Sequence, residues 1–136
     1  MGLILDQVNK YVEGEMHLAD ISLDLASGSR NVILGRTLAG KTTLLRIMAG
    51  LDRPTTGKVL MDGKDVTGIS VRKRHVAMVY QQFINYPSFT VFQNIASPLQ
   101  ISGVPKATIK EKVMETATLL HLEEMLDRMP AELSGG

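Results

Sequence analysis

The sequence predicts an α/β protein with an antiparallel β edge and a helical tail. Three observations carry that prediction. From His17 to Leu25, apolar and polar side chains alternate, the period of a half-buried antiparallel strand. Asn31-Val32-Ile33-Leu34 leads through a glycine-bearing loop into the apolar stretch Thr42 to Gly50. Strand, loop and helix in that order form the unit of an α/β layer. Beyond Pro105, apolar residues recur at spacings of three and four, as on one face of a helix.

Leu3 to Val8 reads as a first strand. In the second, Leu18, Ile21, Leu23 and Leu25 are apolar while Asp20, Ser22 and Asp24 are polar. Ser27-Gly28-Ser29 is a turn. The β-branched Asn31–Leu34 run predicts a buried strand ending at Gly35. In the helix that follows, Leu44, Leu45, Ile47 and Met48 supply the apolar face and Gly50 the stop. Arg53 to Gly57 reads as a loop, Lys58 to Met61 as a strand and Asp62-Gly63 as a hairpin turn. The basic run Arg72-Lys73-Arg74-His75 reads as a solvated loop or helix edge. Val76 to Tyr80, mostly apolar, predicts another buried strand. Pro105 to Met129 is expected to be helical, with Ile109, Val113, Ala117 and Leu120 on one face. Pro105 sits near the first turn, and Pro130 past the end of a second short helix.

Composition narrows the function classes. The 136 residues suit one domain and are 21% charged and 44% hydrophobic, an ordinary globular balance. A net charge of +1 gives no case for nucleic acid or an anionic membrane surface. Absence of cysteine excludes disulfides and thiolate metal sites. No apolar run approaches the ~18 residues that span a bilayer. The start, MGLILDQVNK, lacks a basic region and a cleavage site, and Asp6 breaks a myristoylation pattern. Any membrane role is therefore expected to run through a partner. The eight methionines are expected to fill core.

Gly35-Arg36-Thr37-Leu38-Ala39-Gly40-Lys41-Thr42 matches G-x-x-x-x-G-K-[ST] in full. Gly35 and Gly40 permit backbone conformations that other residues resist. The loop can then turn its N–H groups around phosphates, and the next helix adds its N-terminal dipole. Lys41 is a point charge for the β- and γ-phosphates. Thr42 offers a hydroxyl to Mg²⁺, and Thr43 one to the α-phosphate. Arg36, Thr37, Leu38 and Ala39 contribute chiefly main-chain N–H groups, with Arg36 pointing to solvent. The motif specifies mononucleotide binding, not which nucleotide or which reaction.

Further stretches narrow the class: Val79-Tyr80-Gln81-Gln82-Phe83, then Asn85 to Ile95 (NYPSFTVFQNI), and the closing Leu133-Ser134-Gly135-Gly136. Together with GRTLAGKTTLLRIMAGLDRPTTGKVLMDGKDV they make the chain resemble the ATP-binding subunit of ABC transporters, from about Leu3 to Gly136. The texture is closest to subunits serving bacterial import of sugars and polyols. The resemblance implies a partial P-loop NTPase core of ABC type with an antiparallel β subdomain, over about 1–82, and a helical subdomain over about 83–136. It implies ATP and Mg²⁺ as ligands. Gln81 matches the glutamine that reaches Mg²⁺ and the attacking water. Ser134, Gly135 and Gly136 match the signature loop that caps the γ-phosphate held by a second, head-to-tail subunit. Tyr11 is a candidate for stacking on adenine, although a gapless comparison points nearer Val12. Tyr86, Pro87 and Phe89 are candidates for contact with a transmembrane permease subunit, ordinary packing being the alternative. A solute-binding protein is an indirect partner, and the location implied is the cytoplasmic face of the membrane, held peripherally.

The family pattern continues beyond LSGG with a strand ending in Asp and Glu and with a switch His. Glu123, Glu124 and Asp127 read as a solvated helix face and do not substitute, and His17, His75 and His121 do not match the switch. The expectation is a fragment of a longer subunit that binds ATP and hydrolyses it poorly, since loss of a general base costs ~10²–10⁴ in rate. Poor stability is also expected, because buried-type strands would be left uncovered. The family usually has Pro and Ser where this chain has Arg36 and Thr37. A GTPase is disfavoured by the lack of N-K-x-D, and a small-molecule kinase by the lack of an Arg-rich lid. A non-hydrolysing nucleotide-binding module is the remaining alternative.

Overall fold

The computed structural model describes residues 2–82 and 84–134. They form two compact units, dividing between Val79 and Tyr80. The first holds strands β1 (Leu3–Val12) and β2 (Glu15–Leu25), helix α1 (Lys41–Ala49), and strands β3 (Thr56–Met61) and β4 (Lys64–Asp65). All pairings are antiparallel, in the order β2-β1-β3-β4. Helix α1 lays Leu44, Ile47 and Met48 against Leu5, Val8, Leu18, Val59, Met61 and Val66 of the sheet and its edge.

Leu18 and Ile21 are three residues apart, yet both face this core. Strict alternation would put them on opposite faces. Left-handed Asp20 (φ 48) and Gln7 (φ 47) supply the extra residues, and the β1–β2 register shifts around them. The Asn9 carboxamide fills the irregularity. Its Oδ1 accepts from Asp20 N–H at 2.8 Å, and its Nδ2 donates to Gln7 O and Thr56 Oγ1, both at 3.1 Å. A bulge of this kind leaves backbone groups off the ladder, and one side chain recovers them. The Asp62-Gly63 turn forms as predicted, with both residues at positive φ (49 and 76).

Two predicted strands are absent. Asn31–Leu34 makes no ladder, and Val32 and Leu34 are 82% and 87% exposed. Val76–Tyr80 likewise forms no strand, with Val79 96% exposed. Both runs have the unbroken apolar character of strands covered on both faces, which need parallel neighbours and helical layers. Among the described residues no strand pairs with either run, although Ile33 and Val76 still pack on the core beneath α1. Methionine also divides: Met48 and Met61 are core, while Met16, Met114 and Met129 are exposed.

A further correction concerns Arg74, expected in solvent and found 3% exposed. Its guanidinium donates to five carbonyls: Ile47 (3.1 Å), Met48 (3.2 Å), Val66 (2.5 Å), Thr67 (3.3 Å) and Ile69 (3.0 Å). Burial pulls its pKa below the ordinary value, yet a guanidinium stays charged near neutrality. The α1 C-terminus is the negative end of its dipole, so a cation belongs there. Gly50 closes the same end with φ 81, its N–H on Ile47 O (3.1 Å) while Leu51 N–H reaches Arg46 O (2.9 Å), a Schellman motif. A Cβ on Gly50 would stand 2.5 Å from Arg74 Nε. Arg46 also grips Asp52 through two bonds, Nε to Oδ2 at 2.7 Å and a second N–H to Oδ1 at 2.9 Å.

The second unit holds α2 (Val91–Ile101) and α3 (Lys106–Leu120), followed by single 3₁₀ turns at Glu123–Met125 and Pro130–Glu132. Thr90 and Gln93 form a reciprocal capping box at α2, legible in the sequence as T-x-x-Q. Val91 N–H and Phe92 N–H find Arg128 O and Leu126 O, both at 2.9 Å. All four orphan donors of the helix start are thus satisfied. Val91, Ala96, Ile109, Val113, Ala117 and Leu126 form the core. Leu120, predicted on the buried face, is 56% exposed. Helix α3 ends directly after it, at left-handed His121 (φ 57), and Leu122 N–H returns to Ala117 O at 2.8 Å, so Leu122 packs in its place. The predicted second helix is only the 3₁₀ turn at Glu123, and Pro130 opens a further turn rather than following a helix.

His121→Gly should stabilise the second unit by about 0.5–1 kcal/mol, since a left-handed non-glycine residue carries steric strain. A rise in amide-exchange protection across α3 would show it. Asp52 has its carboxyl held below the usual range, first by the Arg46 hydrogen bond. A depressed folded-state pKa contributes stability above the unfolded value, about 4, and loses it as pH falls through the folded one. Asp52→Asn should therefore cost about 0.5 kcal/mol at pH 7. That difference should shrink in urea melts as the pH is taken below about 4.

Candidate functional site

The Gly35–Thr43 loop lies wholly in the first unit and runs into α1. Lys41 turns back over it, its Nζ donating to Gly35 O (2.8 Å) and Arg36 O (2.6 Å). An ammonium has three N–H donors, so the geometry leaves one for a ligand oxygen. Ala39 N–H bonds Arg36 O at 3.2 Å and tightens the turn. The first bond inside the helix runs from Leu44 N–H to Gly40 O, at 2.9 Å. The N–H groups of Lys41, Thr42 and Thr43 precede it and belong to the unpaired donors of a helix start, which suit anionic oxygen.

Gly40 has φ 82, and a Cβ there would lie 2.7 Å from His17 O and 2.8 Å from Leu18 Cδ2. Strand β2 therefore abuts the loop, a contact that motif reading does not show. Leu38 is left-handed (φ 66), a strained state for a branched side chain, and is almost fully exposed. Arg36, Thr37, Ala39 and Thr42 are exposed, and Thr43 is half-buried.

Tyr11 stands on β1 opposite Met16, next in sequence to the His17 whose carbonyl meets Gly40. The residue is 44% exposed, and its N–H donates to Thr55 Oγ1 at 3.0 Å. Val12 is also exposed and pairs with Glu15. Gln81, exposed, lies in the second unit, whereas the loop belongs to the first. Leu133 packs on the second unit's core, and Ser134 is exposed. Gly135 and Gly136 lie outside the described residues. Asn94 clamps the 86–90 segment: Oδ1 accepts from Tyr86 N–H at 2.8 Å, and Nδ2 donates to the Tyr86, Phe89 and Thr90 carbonyls at 3.0–3.1 Å. The Tyr86 and Phe89 rings sit 5.1 Å apart, both partly exposed.

No group of three or more His, Asp or Glu able to hold a metal occurs among the described residues. Mg²⁺ needs none when it comes with phosphates and water, taking only one or two protein oxygens. The exposed Thr42 hydroxyl in the first turn of α1 fits that role. No helix of the described residues is long and apolar enough to cross a membrane.

A helix-capped loop with an inward lysine, set beside an antiparallel sheet, defines a nucleotide-binding protein of the phosphate-loop class. Comparison with known proteins narrows the class. The ABC transporter family pattern matches residues 18–136, and the chain belongs to that family. It is 39% identical to the spermidine/putrescine import ATP-binding protein PotA of Aggregatibacter actinomycetemcomitans, over 97% of this chain and 36% of PotA. Identity is 42% to the trehalose import protein SugC of Mycobacterium tuberculosis (98% and 34%). It reaches 43% to the sn-glycerol-3-phosphate import protein UgpC of Salmonella choleraesuis (99% and 38%). The chain thus spans little more than a third of the length of these relatives. Among solved structures, it matches the ATP-binding cassette MJ0796, a dimer bound to ADP and Pi, with a TM-score of 0.85. Identity there is 28%, covering 98% of this chain and 63% of that one. The fold is the α/β fold of an ABC domain, in part.

Gly40→Ala should cost about 2 kcal/mol, combining left-handed strain with a backbone clash. The thermal midpoint of the first unit should fall, and nucleotide affinity with it.

Proposed function

We propose that this chain is the nucleotide-binding part of an importer's ATP-binding subunit, which couples ATP binding and hydrolysis to solute uptake. The observation that carries the reading is the Lys41 ammonium folded over the Gly35–Arg36 carbonyls at the start of α1. Phosphates of ATP bind the loop N–H groups and Lys41, Mg²⁺ takes the Thr42 hydroxyl, and Thr43 reaches the α-phosphate. Tyr11 stacks on adenine, its strand position beside the Gly40 contact supporting the assignment. Gln81 orients Mg²⁺ and the attacking water. Residues 1–82 serve nucleotide binding, and 83–136 form the helical part.

Ser134 to Gly136 complete the site of a second, head-to-tail subunit, a reading favoured by the dimeric MJ0796 cassette. Tyr86, Pro87 and Phe89, braced by Asn94, dock a permease subunit at the cytoplasmic face of the membrane, with a solute-binding protein beyond it. The named relatives import polyamines, a disaccharide and a polyol phosphate. We favour a sugar, polyol or related solute. We read these residues, taken by themselves, as binding ATP and turning it over slowly.

Lys41→Ala should weaken ATP binding by about tenfold to a hundredfold, the worth of a charge-assisted hydrogen bond. Titration calorimetry on both chains measures it, beside steady-state phosphate release. Lys41-dependent turnover at the full rate of a longer ABC subunit would show that the catalytic base lies within these residues. Equal ATP affinity in both chains would remove the nucleotide-binding reading.

A further inference from the structure

We infer that Arg74 is a positioning residue for the phosphate loop, acting through the axis of α1. The inference rests on the nucleotide-binding reading. A helix whose first turn holds phosphates must be fixed along its axis, because any slide carries every loop N–H with it. The apolar contacts of Leu44, Ile47 and Met48 keep α1 on the sheet, but burial of apolar surface is non-directional. The guanidinium supplies direction. One side of its fork holds Ile47 O and Met48 O at the end of the helix, and the other holds Val66 O, Thr67 O and Ile69 O. A rigid planar fork keeps the two sets of carbonyls at one separation. Gly50 leaves it room, since a Cβ there would meet Nε at 2.5 Å and Cζ at 2.6 Å.

Direct attraction between Arg74 and the phosphates is the weaker effect. The nine residues of α1 put its ends about 13 Å apart, far beyond hydrogen-bond or ion-pair reach of a phosphate. The action is therefore geometric. Arg74→Lys, which keeps the charge and loses the fork, should fail to substitute.

The test measures ATP affinity by calorimetry on the full chain, per folded molecule, with the folded fraction taken from far-UV circular dichroism. Arg74→Lys is compared with Val59→Ala, a core truncation in the same unit that keeps the guanidinium and, because Val59 meets Val66 N–H and Thr67 Oγ1 through its backbone, leaves those hydrogen bonds in place. Arg74→Lys should weaken ATP by about tenfold or more, with Val59→Ala close to wild type. Equal affinities in Arg74→Lys and wild type would overturn the inference, as would equal losses in both variants. Should Arg74→Lys not fold, Gly50→Ala, which displaces the fork and leaves Arg74 in place, decides by the same criterion. If wild type binds no ATP, the function reading fails by itself, and amide exchange over residues 35–43 decides. Faster exchange in Arg74→Lys than in Val59→Ala upholds the positioning role, and equal exchange rejects it.

Discussion

The first unit turns on one buried cation. Arg74 gathers carbonyls from the end of α1 and from the segment after β4, so helix and hairpin cannot shift independently. Hydrogen bonds from a charged donor are among the stronger ones available, at roughly 1.5–3 kcal/mol each. A buried charge is tolerated only when such bonds replace water. The five carbonyls do that, and they include groups that a helix end would otherwise leave without partners. The Schellman closure at Gly50 serves Arg46 O and, a second time, Ile47 O. Both ends of α1 are thus specified by backbone chemistry: the C-terminus by Arg74 and Gly50, the N-terminus by Gly40 and the loop.

The sheet beneath α1 is irregular in a way that serves the loop. Left-handed Gln7 and Asp20 let Leu5, Val8, Leu18 and Ile21 all face α1. That places the Leu18 side chain and the His17 carbonyl against Gly40, where only a residue without a Cβ fits. Strand bulges and phosphate loop are therefore one packing problem. In the second unit the corresponding role falls to the start of α2. Backbone from Leu126 and Arg128 satisfies its first donors, and Asn94 ties the exposed Tyr86–Phe89 segment to the helix.

Much of this was legible beforehand, because it depends on local rules. The G-x-x-x-x-G-K-T spacing, the Gly50 stop, the Asp62-Gly63 turn and the 109/113/117 face each follow from backbone geometry or helical period. The misses share a different origin. Asn31–Leu34 and Val76–Tyr80 have strand composition but no pairing partner among the described residues, and composition cannot supply one. Arg74 sits in a basic run that resembles many solvated loops. Its burial depends on carbonyls some 26 residues back in the chain, and no periodicity encodes that.

By itself, the sequence determined the chemistry: a lysine and two hydroxyls at fixed offsets after a glycine loop can do little but hold phosphate. It also determined the family, through motifs spread along the chain. Only the tertiary structure decided which β-type runs become strands, that Arg74 is an internal clamp, and that His17 and Leu18 press on Gly40. The reason is physical. Local conformation is set by neighbours in sequence, whereas burial of a charge or completion of a ladder needs groups that only folding brings together.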